Sequence, residues 1–158
     1  MIDATPIAER LFARREKITV TESSAGGLIS AALLAIPGAS RYYLGGTIIY
    51  SLEGIAAQIG EIPPDTRSSS EPFARFLART SRAKLGADWA VAETGASGPS
   101  GNRYGDPSGH AWLAVAGPGE LLLTEHVLTG SDDREANMAA FAAAALALLG
   151  RALSDASG

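Results

Sequence analysis

Apolar residues recur at Ile7, Ala8, Leu11 and Phe12, a spacing that lays one stripe along a helix and predicts α-helix from Pro6 to Arg15. The β-branched run ITVTES, residues 18–23, reads as a strand. Gly26 to Ala35 follows as a small-residue helix stopped by Pro37-Gly38. YYLGGTIIY, residues 42–50, reads as the next strand, followed by a short helix in LEGIAAQIG that closes at Gly60. Pro63-Pro64 breaks the chain there. Ser70 is placed to cap a helix with Glu71 and Pro72 in its first turn, ending at about Leu85. DWAVAET, residues 88–94, reads as a buried strand. HAWLAVA and ELLLTEHVL form two further strands joined around Gly117-Pro118-Gly119 as a hairpin. Ser131 is expected to cap an alanine-rich helix to Leu149, with the tail RALSDASG fraying. No internal repeat is visible.

Helices alternating with strands, then a hairpin and a packing helix, predict one α/β domain: a three-layer α/β/α sandwich with a mixed sheet. Sites in such folds form beyond the carboxyl ends of the strands. Two glycine-rich segments fall there, TESSAGG after the first strand and GASGPSGNRYGDPSG after the third. The second holds five glycines and three serines in fifteen residues, more than a routine connection needs.

Composition then narrows the function. With 158 residues, 46% hydrophobic and 19% charged, the chain has room for one core. Its formal charge of −4 and scattered basic residues predict no nucleic-acid partner. The absence of cysteine excludes disulfides, thiolate metal sites and cysteine nucleophiles. Two histidines, His110 and His126, are too few for a histidine-rich metal centre. The N-terminus has no apolar core of a signal peptide, and apolar runs fall short of the roughly 20 residues of a membrane span, so a soluble cytoplasmic protein is expected.

In TESSAGG, a serine at the mouth of a helix would sit among free backbone N–H groups that favour an anion, with Gly26 and Gly27 allowing close approach. The alternative is that Ser23 or Ser24 only caps the helix. The spacing is neither a G-x-S-x-G elbow nor a phosphate-binding Walker loop.

TESSAGGLISAALLAIPGASRYYLGGTIIYS, then GASGPSG, GHAWLAVA and GSDDREA, in that order and spacing, resemble the C-terminal domain family of CinA, the competence/damage-inducible protein, over nearly the whole chain. The resemblance implies an amidohydrolase that converts nicotinamide mononucleotide to the acid and ammonia, needing no metal or organic cofactor. It places the serine nucleophile on Ser23. It places substrate-facing positions on Tyr50, on Gly95, Gly98 and Gly101 of the glycine loop, and on Arg134, to which the turn itself adds Ser24, Gly26 and Gly27 as expected contacts. A small-molecule substrate, a pyridine nucleotide or related amide, and self-association into a homo-oligomer are implied likewise. Arg103, beside Asn102 and Tyr104, adds a cation and a ring suited to gripping a planar ring or a carboxylate.

The family's lysine base aligns with Ile55, and the only lysines, Lys17 and Lys84, lie in no motif. Ala25, Asp106 and His110 replace a threonine, a lysine and a threonine of the family pattern, and Glu93 stands at a normally apolar position. Two readings follow. In the first, the chain is a divergent amidohydrolase whose substrate has changed or whose lysine is replaced by another group, His110 oriented by Glu93 being the best candidate, within about 4 Å of the Ser23 hydroxyl or reaching it through one water. If Ile55 is the only defect, Ile55→Lys would raise deamidation. In the second, the chain is a noncatalytic homologue that binds a nucleotide-like ligand or a protein partner. Structural roles compete for both residues: His110 as a hydrogen-bonded imidazole, Glu93 as a cap for backbone donors or a partner of Arg103.

Overall fold

A computed structural model describes residues 1–156, so Ser157 and Gly158 of the expected frayed tail lie outside it. The elements run α1 (Thr5–Arg14), β1 (Ile18–Glu22), α2 (Leu28–Leu34), β2 (Tyr43–Ile48), α3 (Leu52–Gln58), α4 (Glu71–Leu85), β3 (Trp89–Ala96), β4 (His110–Ala116), β5 (Leu122–Leu128) and α5 (Arg134–Asp155). One five-stranded sheet has the order β2-β1-β3-β4-β5. β1 is parallel to β2 and β3, whereas β3, β4 and β5 pair antiparallel, so the sheet is mixed as expected.

Alternation sorts the strand side chains onto two faces. Ile18, Val20, Trp89, Val91, Leu113 and Val115 point to one, where α1, α2 and α5 supply Leu11, Ile29, Phe141 and Leu149. Ala92, Ala114 and Ala116 point to the other, where α4 supplies Phe73 and Leu77 and α3 supplies Ile55. Small residues on that face let α4 lie close to the sheet. The helix starts where Ser70 Oγ accepts from Phe73 N–H and ends at Gly86 with φ 63°, a left-handed stop.

Two boundaries differ from expectation. α2 begins at Leu28, because Gly26 and Gly27 take φ 68° and 99° and hold the preceding residues in a turn. α5 is capped by Asp133, not Ser131, and continues to Asp155 because Ala152 and Leu153 are fully buried. The contacts that hold them extend the helix through the segment expected to fray. α5 is long and apolar enough by length and composition to cross a membrane, contrary to the expectation from run length, but half of its apolar window is buried within the protein.

Candidate functional site

β1 ends in Glu22, and the chain turns over Ser23–Gly27 before α2. Two buried carboxylates hold that turn. Glu22 accepts from the N–H groups of Gly27 (2.8 Å), Ile29 (3.1 Å) and Ser30 (2.9 Å), and from Ser30 Oγ (2.8 Å). It therefore takes the place of a capping serine at the start of α2. Glu93, on the neighbouring strand β3, accepts from Ser23 N–H (2.9 Å), Ala25 N–H (2.8 Å) and the Ser24 hydroxyl. Burial pushes the Glu93 carboxyl up from its ordinary value, against the hydrogen bonds of Ser24, Ala25 and Ser23.

Five of the backbone donors expected to greet an anion are thus already spent on the protein's own carboxylates, and those of Gly26 and Leu28 on the carbonyls of Ser23 and Ala25. Ser24 is buried against Glu93. Ser23 is half-buried, and its hydroxyl has no hydrogen-bond partner among the described residues.

His110 does not face it. Its Nε2 lies 2.8 Å from the Ser69 carbonyl oxygen, which can only accept, so Nε2 carries the proton. In the neutral ring, Nδ1 then accepts from His126 Nε2 at 2.7 Å. Both ring nitrogens are committed. The cause is sheet parity: His110 pairs with Ala96 and Glu93 with Leu113, so the two side chains point to opposite faces of the sheet. The expected relay from Glu93 through His110 to Ser23 is therefore corrected, and both residues have structural roles instead. Glu93 caps backbone donors and does not pair with Arg103. His126, weighed in the sequence only as a metal ligand, stacks on Trp112 with ring centroids 4.5 Å apart, and burial followed by the nearby His110 lowers its pKa.

Ile55 is buried with Ile49 and Phe73 in the core under α3 and α4, so it is a packing position.

Three expected contact residues do come together. Arg134, at the start of α5, donates to the Tyr50 hydroxyl (2.8 Å) and to the Gly98 carbonyl. Tyr50 is 64% exposed, which leaves its ring open to a ligand. The same elements bracket the Ser23 turn. A Cβ at Gly26 would lie 2.6 Å from Met138, one turn after Arg134, and one at Gly27 would lie 3.0 Å from Ile48, just before Tyr50.

The glycine loop is shaped by its own packing. A Cβ at Gly95 would collide with the His110 carbonyl, one at Gly98 with Ser108 Oγ, and one at Gly101 with the Asp106 carbonyl. These glycines admit neighbouring chain, which is reason enough for their presence. Asp106 anchors the loop: Arg67 Nη1 (2.8 Å) and Asn102 Nδ2 (2.8 Å) both donate to it. Burial alone would raise its pKa, but those bonds and the nearby charges hold it below the usual value. Arg103 donates to the Tyr104 hydroxyl at 2.7 Å and lies over that ring alongside Arg67, so it is engaged locally.

The chief loop anchor that sequence reading missed is Asn137. Buried on α5, it donates to the carbonyls of Ser97 (2.9 Å) and Ser131 (2.8 Å) and accepts from the Thr129 hydroxyl (2.6 Å). Its signal was a lone amide in an alanine-rich helix. Asn137→Leu is expected to cost about 3 kcal/mol, because the Ser97 carbonyl loses its side-chain donor and the Thr129 hydroxyl its acceptor, while the Ser131 carbonyl keeps only the Ser108 hydroxyl. Hydrogen exchange should report faster opening of residues 97–109; unchanged protection there would contradict this role.

A family model described as the CinA C-terminal domain matches residues 3–153. A CinA-like protein of Prochlorococcus marinus (strain MIT 9313) is 39% identical over 118 residues, covering 73% of this chain and 28% of that protein. Another from Anaeromyxobacter sp. (strain K) is 36% identical over 141 residues, covering 87% and 34%. The chain thus spans about a third or less of these curated relatives. Among solved structures, a competence-damaged protein (CinA) superfamily protein from Klebsiella pneumoniae superposes with a TM-score of 0.89 at 29% identity, covering 96% of each chain. The competence/damage-inducible protein CihA from Agrobacterium tumefaciens gives 0.87 at 27%, covering 96% and 93%.

Proposed function

The chain belongs to the CinA C-terminal domain family, and from that premise we propose that it is a ligand-binding member which takes a pyridine nucleotide or similar phosphorylated ring compound but does not hydrolyse its amide. The observation that carries this reading is the isolation of Ser23. Its hydroxyl is hydrogen-bonded to no base among the described residues, His110 is turned to the other face of the sheet, and Ile55 is packed in the core. A serine hydroxyl without a base is a weak nucleophile near neutral pH. Nor do the turn's capped N–H groups offer an oxyanion site, since Glu22 and Glu93 hold five of them.

Binding requires less. The exposed Tyr50 ring offers a stacking surface, and the Arg134 guanidinium, pinned by Tyr50 and Gly98, supplies a positioned cation for a phosphate or carboxylate. The unpartnered Ser23 hydroxyl can donate to a carboxamide oxygen without reacting with it.

Calorimetry with nicotinamide mononucleotide, paired with an ammonia-release assay, tests the proposal. The expected result is saturable binding at submillimolar concentration, weakened about tenfold in Arg134→Ala, as loss of a charge-assisted contact should do. Ammonia release is expected to equal the protein-free rate in both wild type and Ser23→Ala. Turnover that Ser23→Ala abolishes would establish the hydrolase in place of this reading. Absence of binding at millimolar concentration would remove the nucleotide ligand altogether.

A further inference from the structure

On the α4 face of the sheet lies a cavity of about 270 Å³ that shares no residue with the Ser23, Tyr50 and Arg134 cluster. It exists because α4 packs on β1, β3, β4 and β5 while the edge strand β2 lies beyond its cover. The register between β1 and β2 slips at Leu44, so Tyr43 pairs with Ile18 and Gly45 with Thr19. Such bulges re-aim neighbouring groups and recur beside binding sites. Gly45 takes φ 147°, which side-chain-bearing residues rarely adopt, and a Cβ there would meet nothing within 4 Å, so the space beside it is open.

Thr21 lines this cavity. It is fully buried, and its Oγ1 has no hydrogen-bond partner among the described residues. An orphaned buried hydroxyl is costly, and its retention calls for an account. The hydroxyls of Thr47 and Thr80, also in the lining, form no hydrogen bond among those residues. The Ser81 hydroxyl donates to the Leu77 carbonyl at 2.8 Å and keeps its acceptor capacity. Lys84 lines the cavity from the exposed end of α4, with Nζ 3.3 Å from the Gln58 carbonyl, and no carboxylate lines the cavity.

We propose that this cavity is a second binding site, for a small hydroxylated anion whose hydroxyl groups pair with Thr21 and its neighbouring hydroxyls and whose carboxylate or phosphate meets Lys84. Several hydroxyls with open capacity beside a single cation, with no acid present, favour such a ligand over a cation. The volume limits it to a metabolite near the small end of ordinary ligand pockets.

An amide chemical-shift titration of the full chain tests this, using gluconate as the carboxylate probe, glycerol 3-phosphate as the phosphate probe and xylitol as the uncharged control. The expected result is saturable shifts at Thr21, Ser81 and Lys84 with one of the two anions, and weaker ones with xylitol. Lys84→Gln, a change at an exposed position, should weaken the anion about tenfold. Thr21→Val distinguishes a ligand role from a packing role. Removing an unpaired buried hydroxyl at constant shape should raise the melting temperature of the ligand-free protein while weakening the anion. The proposal is overturned if neither anion shifts these amides at millimolar concentration, if xylitol binds as well as the anions, or if Thr21→Val melts lower than wild type with binding unchanged.

Discussion

Ile55→Lys is expected to destabilise the protein by about 4 kcal/mol and to restore no deamidation. Ile55 is 3% exposed, between Ile49 and Phe73, on a helix of only seven residues. A lysine there would enter an apolar cluster with no carboxylate among its members. Burial lowers the pKa of such an amine, so the folded state binds its proton less well than the unfolded state. The penalty is therefore largest below the folded pKa and shrinks as pH rises towards the ordinary lysine value of about 10.4. Urea unfolding across that range should show the variant recovering with increasing pH, while ammonia release stays at background. A variant as stable as wild type that releases ammonia would mean that this position reaches Ser23 after all.

The second large effect is expected at Glu93. Glu93→Ala would strand the N–H groups of Ser23 and Ala25 and the Ser24 hydroxyl, at a cost of about 3 kcal/mol and a fall in Tm of about 10 °C. Glu93→Gln should behave differently. Its carbonyl can accept from both N–H groups and its amide can donate to Ser24 Oγ, which reproduces the protonated acid. Because burial raises the carboxyl's folded pKa above its ordinary value of 4.5, Glu93 favours folding fully below that value. That contribution is lost as pH rises through the folded pKa. Thermal unfolding should accordingly show Glu93→Gln at least as stable as wild type at neutral pH, with a flatter profile through the mildly acidic range. If Glu93→Gln falls as far as Glu93→Ala, the turn needs the charged carboxylate and this account is wrong.

These two residues show where reading along the chain stops. Ile55 aligned with a catalytic position by motif spacing, yet spacing along α3 says nothing of the Phe73 and Leu77 side chains that α4 brings to it from residues far away. Glu93 and His110 looked like partners because both border the glycine loop. Their opposition follows from the β3–β4 register, which only the paired strands establish. Arg134, Tyr50 and Gly98 were named from their motifs, and the fold brought them together through hydrogen bonds across 84 and 36 residues of sequence.

The order of strands and helices, the mixed α/β layering and the glycine-rich turns were determined by the sequence itself, since hydrophobic period, capping residues and chain breakers act over a few neighbouring residues. The CinA kinship was legible for a related reason: its motifs are short and lie in a constant order. Tertiary structure alone decided what the polar groups do. A buried carboxylate or imidazole takes the nearest donor or acceptor that the sheet presents to it, and strand order, register and face determine which one that is. That choice gave Glu22 and Glu93 the backbone of the Ser23 turn, turned His110 towards Ser69 and His126, and left the Ser23 hydroxyl with no hydrogen-bonded base among the described residues.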